Sequence, residues 1–323
     1  MTKEKLLELF ESNKGIYFSG EEIAGKLGVS RAAVWKAVKN LRNDGYVIDA
    51  VTNKGYCLSE KNDILSPQGI QKYLTPEYAD MELTVLQTVD STNKWIREKA
   101  DHGFCEGYTA ISNEQTSGRG RYGREFFSPP GTGIYMSILL RPSNYSAQQA
   151  VRLTTMAAVA VCEAIEEISD ETAQIKWVND IYVKNKKICG ILTEASFGLE
   201  SGMLEYAVVG IGINVYPPQN GFPKELSSTA GALFDHPKDD AKNHLAAAFL
   251  NRFMKYYRAQ NPTDYVEKYR NRNLAMGKQI TFINGTKTQN ACVCGIDDEC
   301  RLIIRYENGE SDHLAYGEIK IRL

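Results

Sequence analysis

The chain has 323 residues, a length that at roughly 100 to 200 residues per domain calls for two or three domains and excludes a single small module. Lys and Arg number 38 against 40 for Asp and Glu, so the formal net charge of -2 argues against a protein that coats nucleic acid regardless of sequence, while leaving room for local basic faces. With 43% hydrophobic and 24% charged residues the composition is that of chains able to bury a core, and no run of 18 apolar residues predicts a membrane partner.

The N-terminus, MTKEKLLELFESNKG, has neither the apolar segment nor the cleavage site of a secretory signal, so a cytoplasmic location is expected. Seven cysteines show no regular framework, and free thiols are expected in that compartment. Cys292, Cys294 and Cys300 come closest to a metal pattern, with His313 to complete it. Their one-residue spacing puts the first two on one strand face, however, and core or surface thiols are the favoured reading, so no metal site is assigned.

Residues 1 to about 60 read as three helices and a hairpin. Leu6, Leu7, Leu9 and Phe10 form one apolar stripe; Ser19 and Glu22 make a capping box ahead of Ile23, Ala24 and Leu27, with a stop near Gly28. Ser30 caps a third helix from Arg31 to about Arg42, which buries Val34, Ala37, Val38 and Leu41 and stops at Gly45. Strands Tyr46–Val51 and Tyr56–Leu58 follow, joined at Asn53, Lys54 and Gly55. This order is that of a winged helix-turn-helix. Arg31, Lys36, Lys39 and Arg42 put four positive charges and no acid on the third helix, which suits DNA phosphates, and Lys54 at the wing tip fits a minor-groove or phosphate contact. A solvated basic face or a protein-binding module is the alternative. The first domain is placed at residues 1–62 and a connector with one short helix at 63–80, from Ser66-Pro67 and Thr75-Pro76.

From residue 81 to 274, strand-like runs alternate with helical ones: Glu82–Val89, Gly133–Leu140, Gln174–Val183, Lys187–Glu194 and Tyr206–Val215, with helices from Ser146 to about Ile168, Lys242 to Ala259 and Asp264 to Arg272. A mixed α/β sheet domain is expected. Residues 275–323 carry short strands punctuated by Asn284-Gly285, Asp297-Asp298 and Asn308-Gly309, which fits a small β-barrel. The fold class is therefore α+β and multidomain.

Three segments carry chemistry. The run NEQTSGRGRYGREFFSPPGTG, Asn113 to Gly133, contains a literal G-x-G-x-x-G at Gly118, Gly120 and Gly123, but Pro129 and Pro130 forbid the helix that the dinucleotide fingerprint requires. Arg119, Arg121 and Arg124 among those glycines suit an anion clamp, in which guanidinium forks neutralise phosphate or carboxylate oxygens. Lys176, between Ile175 and Trp177 in Lys176-Trp177-Val178-Asn179-Asp180, is a partly desolvated lysine in a strand and a candidate partner for the same kind of group, with Lys187 adding charge. Asp90-Ser91-Thr92-Asn93 ends a strand, where it can cap the next helix or bind a polar ligand. The four histidines, at 102, 236, 244 and 313, lie beside no nucleophile.

Together Ser91-Thr92-Asn93, the GRGRYGREFFSP run from Gly118 to Pro129, KWVND from Lys176 to Asp180 and the downstream Gly-Ile-Asn-Val resemble the bacterial biotin protein ligases, and the winged helix in front extends the resemblance to the bifunctional form that also acts as biotin operon repressor. The resemblance implies a central ligase domain and a C-terminal SH3-like barrel. It also implies synthesis of biotinyl-5'-AMP from biotin, ATP and Mg²⁺, transfer of biotin to a lysine of a biotin carboxyl carrier protein, and operator DNA bound by a homodimer that the adenylate favours. It places Ser91, Thr92, Asn93, Gln115, Arg119, Gly120, Arg121 and Lys176 at biotin and its adenylate, and Arg121, Phe126, Lys176, Asn179 and Asn214 at the nucleotide. Lys176, Arg119 and Arg121 are the expected catalytic residues. Val178 stands where the family pattern has Pro, which is expected to loosen a turn, and Phe126 where some members have Trp. A regulator sensing a small acid or nucleotide without catalysis and a lipoate or octanoate ligase are the alternatives; the cations argue against the first and the glycine loop against the second.

Overall fold

The computed structural model describes residues 2–142, 145, 149–198, 202–259, 263–284, 287–315 and 317–321, in two units: 1–80 with 236–248, and 81–235 with 249–323. The expected helix start at Ser146 and Gly285 of the Asn284-Gly285 turn lie outside the described residues. Among the described residues no helix is long and apolar enough to cross a membrane.

The first unit opens with α1 (Thr2–Glu11), which buries Leu6, Leu7 and Phe10. The capping box then forms as its spacing predicts: Ser19 Oγ accepts from Glu22 N and Ser19 N donates to Glu22 Oε2, starting α2 (Gly20–Leu27), which ends on left-handed Gly28. Ser30 caps α3 (Arg31–Asn43), whose Val34, Ala37, Val38 and Leu41 close the core. β1 (Ile48–Val51) and β2 (Gly55–Leu58) pair antiparallel with Ile48 opposite Leu58. Gly55 has φ 97°, and a Cβ there would lie 2.0 Å from Phe18 O, so both the wing turn and its approach to the preceding loop require glycine. The short helix in the connector is α4 (Pro67–Gln71), capped by Ser66. Four buried or nearly buried charges meet in this unit. Lys72 Nζ lies 2.8 Å from Glu11 Oε2 and 2.5 Å from Asp240 Oδ2, and Lys14 Nζ lies 2.8 Å from Asp240 Oδ1.

The second unit is built on β3 (Leu83–Leu86), β4 (Thr109–Ser112), β5 (Gly133–Leu140), β6 (Gln174–Lys176), β7 (Asp180–Val183), β8 (Lys186–Phe197) and β9 (Leu204–Asn214). They form one mixed sheet in the order β3-β4-β5-β9-β8-β7-β6, with β3 and β4 parallel and the remaining pairs antiparallel. Helix α5 (Thr92–Asp101) follows β3, and α6 (Ala150–Ile168) buries an unbroken run from Thr155 to Cys162, as its apolar composition requires. α7 (Lys224–Ser227), α8 (Ala241–Arg258) and α9 (Asp264–Arg272) complete the helices.

Gln174–Val183 reads as a single alternating strand, yet β6 and β7 are a hairpin with Lys176 opposite Asp180. Trp177 and Val178 are consecutive and both buried, which one alternating strand with a wet face cannot achieve. Trp177 Nε1 donates to Cys300 O, and Tyr269 Oη donates to Val178 O at 3.1 Å, so the turn is tied on both sides despite lacking proline.

The C-terminal strands β10 (Gln279–Asn284), β11 (Lys287–Ile296), β12 (Leu302–Arg305), β13 (Ser311–Leu314) and β14 (Ile319–Ile321) form an antiparallel sheet in the order β13-β12-β11-β10-β14. β13 and β14 are its two edges, with no pairing between them among the described residues. All seven cysteines are free; Cys300 is buried near Tyr265, and His313 Nδ1 lies 2.9 Å from Asp297 Oδ2. Among the described residues no group of three or more His, Cys, Asp or Glu is placed to hold a metal ion.

Candidate functional site

Adjacent strands supply the floor. Gly190 of β8 stands opposite Gly212 of β9, and the Phe126 ring lies on both: a Cβ at Gly212 would fall 2.4 Å from Phe126 Cε1, and one at Gly190 3.2 Å from Cε2. Two glycines in register on central strands leave a space that no other residue type would, and here an aromatic ring from the glycine loop enters it.

The N-terminus of α5 supplies a wall. Ser91 makes no side-chain cap, so its hydroxyl is not committed to the helix. Thr92 N and Oγ1 lie 2.9 and 3.1 Å from Gln115 Oε1, Gln115 Nε2 donates to Ser128 Oγ at 3.0 Å, and Ser128 Oγ donates to Phe126 O at 2.8 Å. Ser137 Oγ lies 2.7 Å from Thr92 Oγ1 and 2.6 Å from Asn93 Oδ1, while Asn93 Nδ2 donates to Glu194 Oε2 at 2.8 Å. This continuous chain runs from the sheet to the glycine loop and fixes rotamers at the cleft wall. Gly118 is required within it: a Cβ there would lie 2.4 Å from Phe126 O and 2.6 Å from Ser128 Oγ.

The loop folds back on itself, with Phe126 N donating to Gly118 O and Gly120 N to Arg124 O, around a short 3₁₀ turn, Arg121–Gly123, in which Tyr122 is left-handed. Its three arginines separate in role. Arg121 donates to Asn179 Oδ1 at 3.0 Å and to Gly317 O at 3.1 Å. Arg124 forms a two-point pair with Glu318. Arg119 is exposed at the cleft and makes no ion pair among the described residues. Lys176 behaves likewise: Lys187 pairs with Asp180 at 2.7 Å, whereas Lys176 makes no ion pair among the described residues and its Nζ stands 5.9 Å from the centroid of the Tyr182 ring. The hydrogen bond from Arg124 holds the Glu318 carboxyl below the usual carboxylate range against the opposing effect of burial, with Lys176 and Arg121 adding to the lowering.

Ser91, Thr92, Asn93, Gln115, Arg119, Gly120, Arg121, Phe126, Lys176 and Asn179 all line one cleft of about 300 Å³, the lower end of the range for small-molecule sites. Asn214 does not line it; its amide donates to Gly231 O at 3.0 Å. Tyr122, Tyr182, Leu226, Thr229 and Glu318 line the cleft without having stood out in the sequence. Glu318 is separated from Arg124 by most of the domain, and only the fold brings it there. Tyr182 was readable in principle, since it is two residues beyond the Lys-Trp-Val-Asn-Asp segment.

On α3, Arg31, Lys36 and Lys39 are exposed. Arg42 is engaged locally, its Nε donating to Ile48 O at 3.0 Å with Nη2 bonded to the same oxygen. Lys54 Nζ stands 5.8 Å from the Tyr17 ring. Trp35, which sequence reading passed over, is 58% exposed beside these cations.

The mixed sheet, the cation-rich cleft and the helix-turn-helix define a ligase-type chain with a DNA-binding module, and comparison with known proteins agrees. A biotin/lipoate A/B protein ligase family model matches residues 85–214 and an HTH domain model residues 2–57. The bifunctional ligase/repressor BirA of Bacillus subtilis (strain 168) is 34% identical over 313 residues, covering 95% of this chain and 95% of its own, and that of Escherichia coli (strain K12) is 26% identical over 322 residues, covering 98% and 96%. The solved biotin protein ligase from Aquifex aeolicus, in complex with biotin and ATP, has a TM-score of 0.63 and 28% identity, covering 75% of this chain and 98% of that one. The chain belongs to the bifunctional ligase/repressor family of biotin protein ligases.

Proposed function

We propose that this chain makes biotinyl-5'-AMP from biotin and ATP, transfers the biotin to a carrier-domain lysine of acetyl-CoA carboxylase, and represses the biotin operon in response to biotin. The observation that carries the catalytic reading is the pair of uncommitted cations, Arg119 and Lys176, in one cleft with the Ser91, Thr92 and Gln115 donors and acceptors. In the first step a biotin carboxylate oxygen attacks the α-phosphorus and pyrophosphate leaves. Both reactants are anionic, so positioned cations that stabilise the growing charge are the main requirement, and no enzyme nucleophile is needed. In the second step the lysine amine attacks the acyl carbon, AMP leaves, and the amine loses a proton.

Lys176 and Arg119 are assigned to the phosphate and carboxylate oxygens, and Arg121, held by Asn179, to the adenylate. Ser91, Thr92, Asn93, Gln115 and the Gly120 backbone are assigned to biotin, and Phe126 and Asn179 to the nucleotide; Asn214, which does not line the cleft, is assigned to the nucleotide on the family resemblance alone. Mg²⁺ bound with ATP would neutralise phosphate charge as a Lewis acid. The cleft fits an ion that keeps most of its water and phosphate ligands, since of its lining carboxylates Asp180 is paired with Lys187 and Glu318 with Arg124, which leaves Glu125 without an ion pair among the described residues.

The proposal extends to domain limits at 1–62, 63–80, 81–274 and 275–323, an SH3-like barrel as the last domain, a cytoplasmic location, and a homodimer that the adenylate favours and whose paired winged helices meet a two-fold operator; Arg31, Lys36, Lys39, Arg42 and Lys54 are its DNA-side residues. The test is pyrophosphate release with ATP, Mg²⁺ and biotin, lipoate or octanoate offered separately. Release with biotin alone supports the reading, and release with lipoate but not biotin overturns it.

A further inference from the structure

Trp35 is 58% exposed on α3, one turn after Arg31 and one before Lys39, while Val34, Ala37, Val38 and Leu41 fill the core from the other face. A helix whose core is already complete gains nothing by holding its largest apolar side chain in water, so the placement points to something outside the module. The surroundings narrow what that is. Arg31, Lys36 and Lys39 are exposed with it, α3 has no acidic residue, and Lys39 Nζ stands 5.4 Å from the indole centroid. Such a face is complementary to a polyanion.

Apolar protein partners are met by contiguous apolar patches, and α3 offers none: its other exposed residues are Arg31, Ala32, Lys36, Lys39, Asn40, Arg42 and Asn43. The DNA major groove matches a lone apolar group among cations, because it shows isolated apolar spots, the C5 methyls of thymine, between two rows of phosphates. Trp35 is also the fifth of the 13 residues of α3 and lies in its N-terminal half, the part of a recognition helix that reaches base edges.

Resting on the DNA-binding reading of this module, we propose that Trp35 is a specificity-determining residue that reads thymine through its C5 methyl in the major groove, with Arg31, Lys36 and Lys39 on the flanking phosphates. An indole placed against a methyl is favoured over the same position with cytosine or uracil. The cations hold the helix in the groove but carry no sequence information.

The experiment begins with the full-length chain, used to select binders from a random-sequence duplex DNA library with biotin and ATP present. The enriched duplex is resynthesised with deoxyuridine at each thymine in turn, which removes one methyl and nothing else. Wild-type affinity should fall roughly fivefold at one or two positions per half-site. Trp35→Ala should bind more weakly and show no response at those positions, and Lys39→Ala should lose affinity on every sequence while keeping the response. Far-ultraviolet circular dichroism confirms that each variant is folded, and removal of an exposed side chain leaves no cavity. A wild-type chain indifferent to every methyl, or a Trp35→Ala chain that still responds to them, overturns the proposal while leaving DNA binding standing. A library from which nothing is enriched overturns the DNA-binding reading itself.

Discussion

Arg124 and Glu318 face each other as a two-point pair, Nη1 to Oε1 at 2.8 Å and Nη2 to Oε2 at 2.6 Å, and so fasten the glycine loop to the C-terminal segment just before β14. Their side chains are 66% and 42% exposed, which limits the contribution to global stability to less than about 1 kcal/mol. The effect belongs to loop position. Glu318→Gln is expected to raise the KM for ATP several-fold in a pyrophosphate-release assay while shifting the thermal midpoint by no more than about 1 °C. Exchanging the partners, Arg124→Glu with Glu318→Arg, should recover part of the loss; a Glu318→Gln enzyme with unaltered KM removes the C-terminal segment from the site.

Lys176 makes no ion pair among the described residues, so removing its ammonium leaves no partner stranded. Lys176→Ala is expected to lower kcat/KM for adenylate formation on the order of 10²- to 10³-fold with an unchanged thermal midpoint. Lys176→Arg should restore only part of this, since a planar fork does not replace a compact point charge.

Two glycines near Phe126 differ in what a methyl would strike. At Gly212 it meets the Phe126 ring, which can swing away; at Gly118 it meets the Phe126 carbonyl, which cannot move without the loop. Gly118→Ala should therefore speed tryptic cleavage within the Arg119 to Arg124 run more than Gly212→Ala does. Adding Phe126→Ala should rescue activity lost in Gly212→Ala but not in Gly118→Ala. Equal rescue of both would show that the ring, and not the backbone, sets the loop.

Burial raises the pKa of Asp240, but hydrogen bonds from Lys14, Lys72 and Asn243 outweigh it and hold the carboxyl below its ordinary value. A depressed folded-state pKa means stability that is fully present above the unfolded value, near 4, and is lost as pH falls through the folded one. Thermal midpoints measured from pH 6 to 3 should fall at the acid end in the wild type. Asp240→Asn should start lower, because Lys14 and Lys72 lose their counter-charge, and should vary less over that acid range; an unchanged slope excludes this carboxyl as a source of acid lability.

The winged helix was legible because its signals are local. Ser19, Glu22, Gly28 and Ser30 act within one turn of their own positions, and the α3 stripe repeats at helical spacing. The cleft was legible where residue type and spacing are unusual, as in the arginines set among Gly118, Gly120 and Gly123. The hairpin at Trp177 to Asn179 was not, since burial of two successive side chains depends on Cys300 and Tyr269 arriving from distant segments. Glu318 and Asp240 were hidden for the same reason: each is an ordinary surface-type acid until tertiary contacts supply its cations. Trp35 could have been found, because a tryptophan out of phase with the apolar stripe of α3 already lacks a place in the core.

Arg42, one of the proposed DNA-side cations, also rests its guanidinium on Ile48 O. In an antiparallel pair, alternate residues of β1 turn their backbone groups away from β2, and Ile48 is one of these, because Val47 O accepts from Ser59 N on the inner side. The outward acceptor of a four-residue edge strand is thus stoppered by a charged side chain. A further strand approaching that edge finds this acceptor already taken, which makes the wing a poorer template for pairing with another chain.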